Sequence, residues 1–159
     1  MFALTFYQPD AERVLAGELR VDSRRFWAPV QGPLLVHAGR CRDWCARYEP
    51  ARIDELPFGS LVGLVTVAAA YHVHQVERAV GACPELLWLL RQTPTGPYAY
   101  ALTRPWRFEL PLAYRGSPGF FHVNAGDVAG QPLLDERGQR RYLADYRLAP
   151  DRTQKELFP

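Results

Sequence analysis

The chain has 159 residues, 48% of them apolar and 23% charged, with a formal net charge of +2. That length suits a single core, and the apolar content excludes a disordered chain. No stretch reaches the ~18 continuous apolar residues of a membrane helix, no basic-then-apolar leader opens the sequence, and three cysteines suit reduced thiols, so a cytoplasmic protein without a membrane partner is expected.

In chain order, "FALTF" (2–6) alternates as a first strand. In "QPDAERVLAGE" (8–18), Pro and Asp stand near the start, Val14 and Leu15 follow, and Gly17 stands at the end, which predicts a short helix stopped by glycine. In "LRVDSR" (19–24), Leu19 and Val21 fall on one face and Arg20, Asp22 and Arg24 on the other. That period of two predicts a half-buried strand whose charged face meets water or a ligand. "WAPVQGP" (27–33) reads as a turn-rich connection and "LLVHA" (34–38) as a buried strand ending near His37. "RDWCARYEPARIDEL" (42–56) predicts a helix broken at Pro50, and "LPFGSLVGLVTVAAAYHVHQV" (56–76) a turn followed by a long strand bent at Gly63. "CPELLWLLRQ" (83–92) predicts a helix with Pro at its start and Leu86, Leu87, Leu89 and Leu90 on its core face. "GPYAYALTRPWRFELP" (96–111) reads as a strand pair or one kinked strand, and "YRGSPGFFHV" (114–123) as a glycine-bounded turn into a last strand.

Strands outnumber helices and are irregularly spaced, which favours an α+β fold built on a small mixed barrel over a doubly wound sheet. From Asn124 onward the texture turns polar and only thinly apolar. Residues 1–124 are therefore read as one domain and 125–159 as a polar C-terminal extension, with a hairpin over 133–146 around "DERGQ" and a mobile end.

Several residues could carry chemistry. Arg dominates the basic set, since Lys155 is the sole lysine. Arginine suits bidentate phosphate and guanine contacts, but the same bias follows from a GC-rich genome. Asp22 and Arg24 are a ligand pair or a surface ion pair on one strand face. Arg24, Arg25, Arg40, Arg42, Arg47 and Arg52 form a basic patch or, with Asp43, Glu49, Asp54 and Glu55 among them, a solvated face. Trp27, beside Arg24 and Arg25, is a candidate stacking platform for an unpaired base, ahead of Tyr98, Tyr100 and Trp106, although aromatics more often fill cores. His72 and His74 share a face and Cys41 and Cys45 are one helical turn apart, yet no paired Cys-x-x-Cys arrangement exists, so no metal site and no cofactor are expected. The tail "QKELF" (154–158) is similar to the short peptide by which bacterial proteins dock on the replication sliding clamp. There Leu157 and Phe158 would fill an apolar pocket while Gln154 makes polar contacts at its rim.

Four stretches together give a family likeness: "YQP" at 7–9, "GELRVDSR" at 17–24, "GPLLVHA" at 32–38 and "YRGSPGFF" at 114–121. The glycine-containing turn and strand "LPFGSLVGLVTV" adds to it. In this order the chain resembles the ASCH family, a PUA-like group, over about 1–124. The resemblance implies a PUA-like mixed β-barrel with short flanking helices, a groove beside the first helix, and binding of RNA or an exposed nucleotide there. Some members are hydrolases or nucleases. Carried over, Gly17 ends the helix, Asp22 and Arg24 face the groove, and Tyr114, Arg115 and Gly116 border it.

The signature departs from the family in two places. Its lysine is Leu19 here and its glutamate is shortened to Asp22. Relatives that deacetylate acetylcytidine use that lysine with a threonine at the position of Asp22, and leucine neither takes a proton nor binds an anion, so that amidohydrolase chemistry is not expected. The site expected is Asp22, Arg24, Trp27, Tyr114 and Arg115, with phosphate on the arginines, a base on Trp27 and Asp22 reading its polar edge. The rival readings are a hydrolase of RNA or of a modified nucleoside with Asp22 as base, and an adaptor acting through Gln154, Leu157 and Phe158.

Overall fold

A computed structural model describes residues 1–72 and 96–148. The expected helix at 83–92, His74 and the clamp-like peptide at 154–158 lie outside them.

Eight strands form one mixed sheet: β1 (Phe2–Phe6), β2 (Val21–Arg24), β3 (Gly32–Ala38), β4 (Ser60–His72), β5 (Tyr98–Ala113), β6 (Phe120–His122), β7 (Leu133–Leu134) and β8 (Arg140–Arg141). The order across it is β6-β1-β3-β4-β5-β7-β8, with β2 paired to β5 off that path. Among the described residues four short α-helices accompany it: α1 (Asp10–Leu15), α2 (Asp43–Tyr48), α3 (Ala125–Ala129) and α4 (Leu143–Leu148). The α+β class is as expected. No helix among the described residues is long and apolar enough to cross a membrane.

The centre is the β4–β5 hairpin, and its irregularities have local causes. β5 is one bent strand of 16 residues, the kinked alternative for that stretch. Pro105 has no N–H for a ladder, and Arg104 before it has φ +50°, so the register slips there against Leu64 and Thr66 of β4. β4 runs on through Gly63 with a further register shift between Leu61 and Gly63.

Side chains alternate between the faces of the sheet. Leu4, Phe6, Leu34 and Val36 join Val14, Leu15 and Leu19 in one cluster under α1, whereas Ala3 and Leu35 join Leu61, Leu64 and Trp106 in a second. Residues 125–148 supply Val128, Leu133, Leu143 and Tyr146 to that second cluster, so this polar stretch also carries core side chains. Its hairpin turns where "DERGQ" predicts: β7 and β8 pair antiparallel, and Asp135 Oδ1 accepts from the N–H groups of Arg137 and Gln139, both at 2.9 Å.

Among the described residues the ladder does not close into a barrel. β2 pairs with β5 through Val21–Arg24, and no backbone pairing joins its other edge to β1. Side chains span that seam instead. Arg24 Nη2 donates to the Thr5 carbonyl at 3.1 Å, its guanidinium lies over the Phe6 ring, and Phe26 meets Phe120 edge-on. The expected half-buried strand is also corrected here: Val21, Asp22 and Ser23 are all buried, because the seam covers the polar face of β2 as well.

Candidate functional site

The seam holds a recess of about 900 Å³ between the end of β1, the edge of β2, the start of α2 and the 115–119 loop. Each wall is set locally. α1 ends in a Schellman turn: Gly17 has φ +73°, its N–H reaches the Val14 carbonyl at 3.1 Å, and the Glu18 N–H reaches Arg13 at 2.9 Å. That turn delivers Leu19 to the recess floor and β2 to its edge. Buried Gln8 fixes the start of α1 by donating from Nε2 to the Pro57 carbonyl at 2.9 Å, which places Tyr7 at the rim. The Tyr100 hydroxyl, itself buried, accepts from the Ala28 N–H at 2.8 Å and donates to the Phe26 carbonyl at 3.2 Å, so the segment carrying Phe26 is held from below.

Asp22 and Arg24 meet in the recess, with Arg24 Nε on Asp22 Oδ2 at 2.6 Å. Both are largely out of water, at 11% and 21% side-chain exposure, so this is not a loose surface pair. Burial pushes the Asp22 carboxyl up, and the Arg24 guanidinium opposes that rise. Asp10, at the rim on α1, is also pushed up by burial against the pull of Arg13.

His37 forms part of the wall and faces a polar group at each ring nitrogen. Nε2 donates to the Tyr114 carbonyl at 3.1 Å, and Nδ1 lies 3.1 Å from Thr5 Oγ1, whose hydroxyl donates to the Ser117 carbonyl at 2.6 Å. The ring thus ties β1 and β3 to the 114–119 loop. Gly116 packs flat on it, and a Cβ there would overlap the imidazole. Burial pushes the His37 pKa down, the Tyr114 bond opposes that, and Arg40 adds to the fall.

Three exposed arginines, Arg25, Arg40 and Arg115, line the mouth, and none of them has an ion-pair partner among the described residues. Of the residues singled out in the sequence, Asp22, Arg24 and Arg115 are brought together at the recess. Tyr114 contributes its carbonyl to His37 while its ring stacks on Phe121. Trp27 stands outside the lining, against Tyr98 at 5.6 Å and Tyr100 at 6.4 Å between ring centroids. Its neighbour Phe26 turns inward instead. Sequence reasoning missed the aromatic lining of Tyr7, Phe26 and Trp44. The available signal was an arginine one or two residues before an aromatic in "RFW" and "RDW". Cys41 lines the recess and Cys45 is the buried residue of α2, both as free thiols. Among the described residues no group of three His, Cys, Asp or Glu side chains could hold a metal ion.

No family model matches the chain. No curated protein matches it in sequence. Solved structures do match it in shape. The ASCH protein from Zymomonas mobilis superposes with a TM-score of 0.51 at 12% identity, over 79% of this chain and 89% of that one. A mutant form of that protein gives the same TM-score and identity, over 79% of this chain and 91% of the other. The fold is of the ASCH type. At that identity the likeness reaches the architecture and not the side chains. In this ASCH-type fold the recess lies where the first helix meets the second strand.

Proposed function

We propose that this protein binds nucleic acid, taking one nucleotide of an RNA or another exposed strand into the seam between β1 and β2. A single observation carries the reading: three arginines without ion-pair partners among the described residues ring a 900 Å³ recess lined by aromatics and floored by a buried carboxylate. Arginines at a mouth suit phosphate, aromatic walls suit a base face, and a carboxylate suits the exocyclic amine of cytosine or adenine. In this reading Arg40 and Arg115 hold phosphate, the base lies against Phe26 or Trp44, and Asp22, oriented by Arg24, accepts from the base edge. The PUA-like likeness of the sequence and the ASCH-type fold support the same conclusion.

Fluorescence anisotropy with a labelled single-stranded RNA tests it. Arg40→Ala and Arg115→Ala each weaken binding and lower the slope of log affinity against log salt by about 1. An affinity indifferent to salt and to both substitutions overturns the proposal.

A second reading, a hydrolase of RNA or of a modified nucleoside, draws on the raised pKa of Asp22 in the same recess. It requires product release from an acylated nucleoside or from RNA, lost in Asp22→Asn. Docking on a sliding clamp through Gln154, Leu157 and Phe158 is a separate proposal, and removal of 154–159 would abolish clamp binding while leaving RNA binding in place.

A further inference from the structure

The aromatic surface does not stop at the recess. Trp44 and Tyr48 stand four residues apart on α2, their ring centroids 4.5 Å apart, and Tyr7 lies 6.4 Å from Trp44. Spacing of four puts both α2 rings on one helix face, while Cys45 alone of that helix is buried. Tyr7 and Trp44 belong to the recess lining, and Tyr48 lies beyond it. All three are exposed, Tyr48 at 57%, so the rings form a continuous ridge from the recess out along α2.

Packing does not explain that ridge, since none of its members belongs to either core cluster. Adjacent exposed aromatics mark an interaction surface. The charges beside it indicate the occupant. Arg40 lines the recess together with Tyr7 and Trp44, and Arg47 precedes Tyr48 on α2; both are exposed, and neither has an ion-pair partner among the described residues. The acids nearby are Asp10, which is bound to Arg13 at 3.3 Å, Asp43, Glu49, which is bound to Arg52 at 3.2 Å, and Asp54, which faces Arg42 at 3.5 Å. Stacking rings flanked by unopposed arginines are the arrangement that carries successive bases of a single strand.

Resting on the reading of the recess as a nucleotide site, we infer a second subsite outside it, for the neighbouring nucleotide of the same strand. The nucleotide next to the one in the recess stacks on the Trp44–Tyr48 ridge, with its phosphate toward Arg47. Tyr48 is then a length-sensing contact that a single nucleotide never reaches.

Binding of a mononucleotide, a dinucleotide and a hexanucleotide, in ribose and deoxyribose forms, is to be measured on the full chain by calorimetry and anisotropy. The expected result is a rise of at least about tenfold from one unit to two, lost in Tyr48→Ala and kept in Tyr48→Phe, as a base–aromatic stack requires. The mononucleotide binds Tyr48→Ala as tightly as it binds the wild type. A rise in only the ribose or the deoxyribose series identifies the strand. Oligonucleotide affinity unchanged in Tyr48→Ala overturns the inference, leaves the recess reading standing and passes the ridge to a protein partner. No binding of any length overturns the recess reading itself. Tyr48 is exposed, so an unchanged melting temperature verifies that the variant is folded.

Discussion

Asp22 and Arg24 show how two side chains can be fixed by each other before any ligand arrives. A carboxylate taken out of water must be paired, and the guanidinium at 2.6 Å pairs it. Arg24 is in turn anchored by the Thr5 carbonyl and the Phe6 ring, so it cannot swing out to solvent without opening the seam. Arg24→Ala leaves the Asp22 charge buried and unpaired, which destabilises the fold by about 3 kcal/mol at pH 7.5. The pH dependence of that loss is a sharper check. Asp22 already has a folded pKa above its ordinary 3.8, so the native state binds more protons than the unfolded chain in the window above that value, and stability falls as pH rises through it. Without Arg24 the window reaches to higher pH. Denaturant titrations should therefore show a smaller loss at pH 5 than at pH 7.5. An equal loss at both would mean that Arg24 acts through packing alone.

At the scale of elements, what the sequence disclosed depended on how local each cause was. The strand at 2–6, the helix at 10–15 with its stop at Gly17, the break at Pro50 and the hairpin around "DERGQ" all arise within a few residues, and all are present. The burial of the polar face of β2 was not legible, because it depends on β1 and the 115–119 loop arriving from far away in sequence. The same holds for the site. Asp22 and Arg24 were legible in the alternation of β2 and Arg40 in the run of arginines, and the resemblance added Arg115, whereas Tyr7, Phe26 and Trp44 converge only once three distant segments meet. Phe26 and Trp27 are adjacent and point apart, a choice set by Phe120 on one side and Tyr98 on the other.

The 114–119 loop is the element whose behaviour His37 controls. Its burial holds the imidazole below the ordinary 6.5, so just below that pH the unfolded chain takes up a proton that the folded chain does not. Stability therefore falls as pH drops through that window. Replacing His37 by Gln, which can still donate toward Tyr114, should flatten the decline in melting temperature between pH 7 and about pH 5.5. Gly116→Ala should displace the ring and loosen the loop at any pH, and under the proposed function it weakens binding through Arg115. If His37→Gln retains the wild-type pH profile, the dependence belongs to other groups.

On the scale of the whole molecule, both faces of the sheet meet the recess. It adjoins the cluster under α1 through Phe6 and Leu19 and the other face through Thr5 and His37, while residues 125–148 supply side chains to the second cluster away from it. Tyr146 is the pin on that side. Its ring meets Trp106 edge-on at 4.7 Å, its hydroxyl lies 2.9 Å from that of Thr66 and donates to the Arg104 carbonyl at 2.8 Å, and Arg104 stacks on it. It thereby clamps the bend in β5 that Pro105 introduces. Tyr146→Ala should destabilise the protein by about 3–5 kcal/mol, whereas Tyr146→Phe keeps the ring and loses about 1–2 kcal/mol with the hydroxyl. A chain cut after Asn124 would uncover Leu35, Leu61, Leu64 and Trp106 together and should lose cooperative unfolding. Because Tyr146 lies outside the recess lining, the proposed function implies that Tyr146→Phe keeps the wild-type RNA affinity at temperatures well below its midpoint. Thermal melts and anisotropy on the same samples check both halves. A binding defect in a fully folded Tyr146→Phe would mean that the bend in β5 reaches through the sheet to the seam.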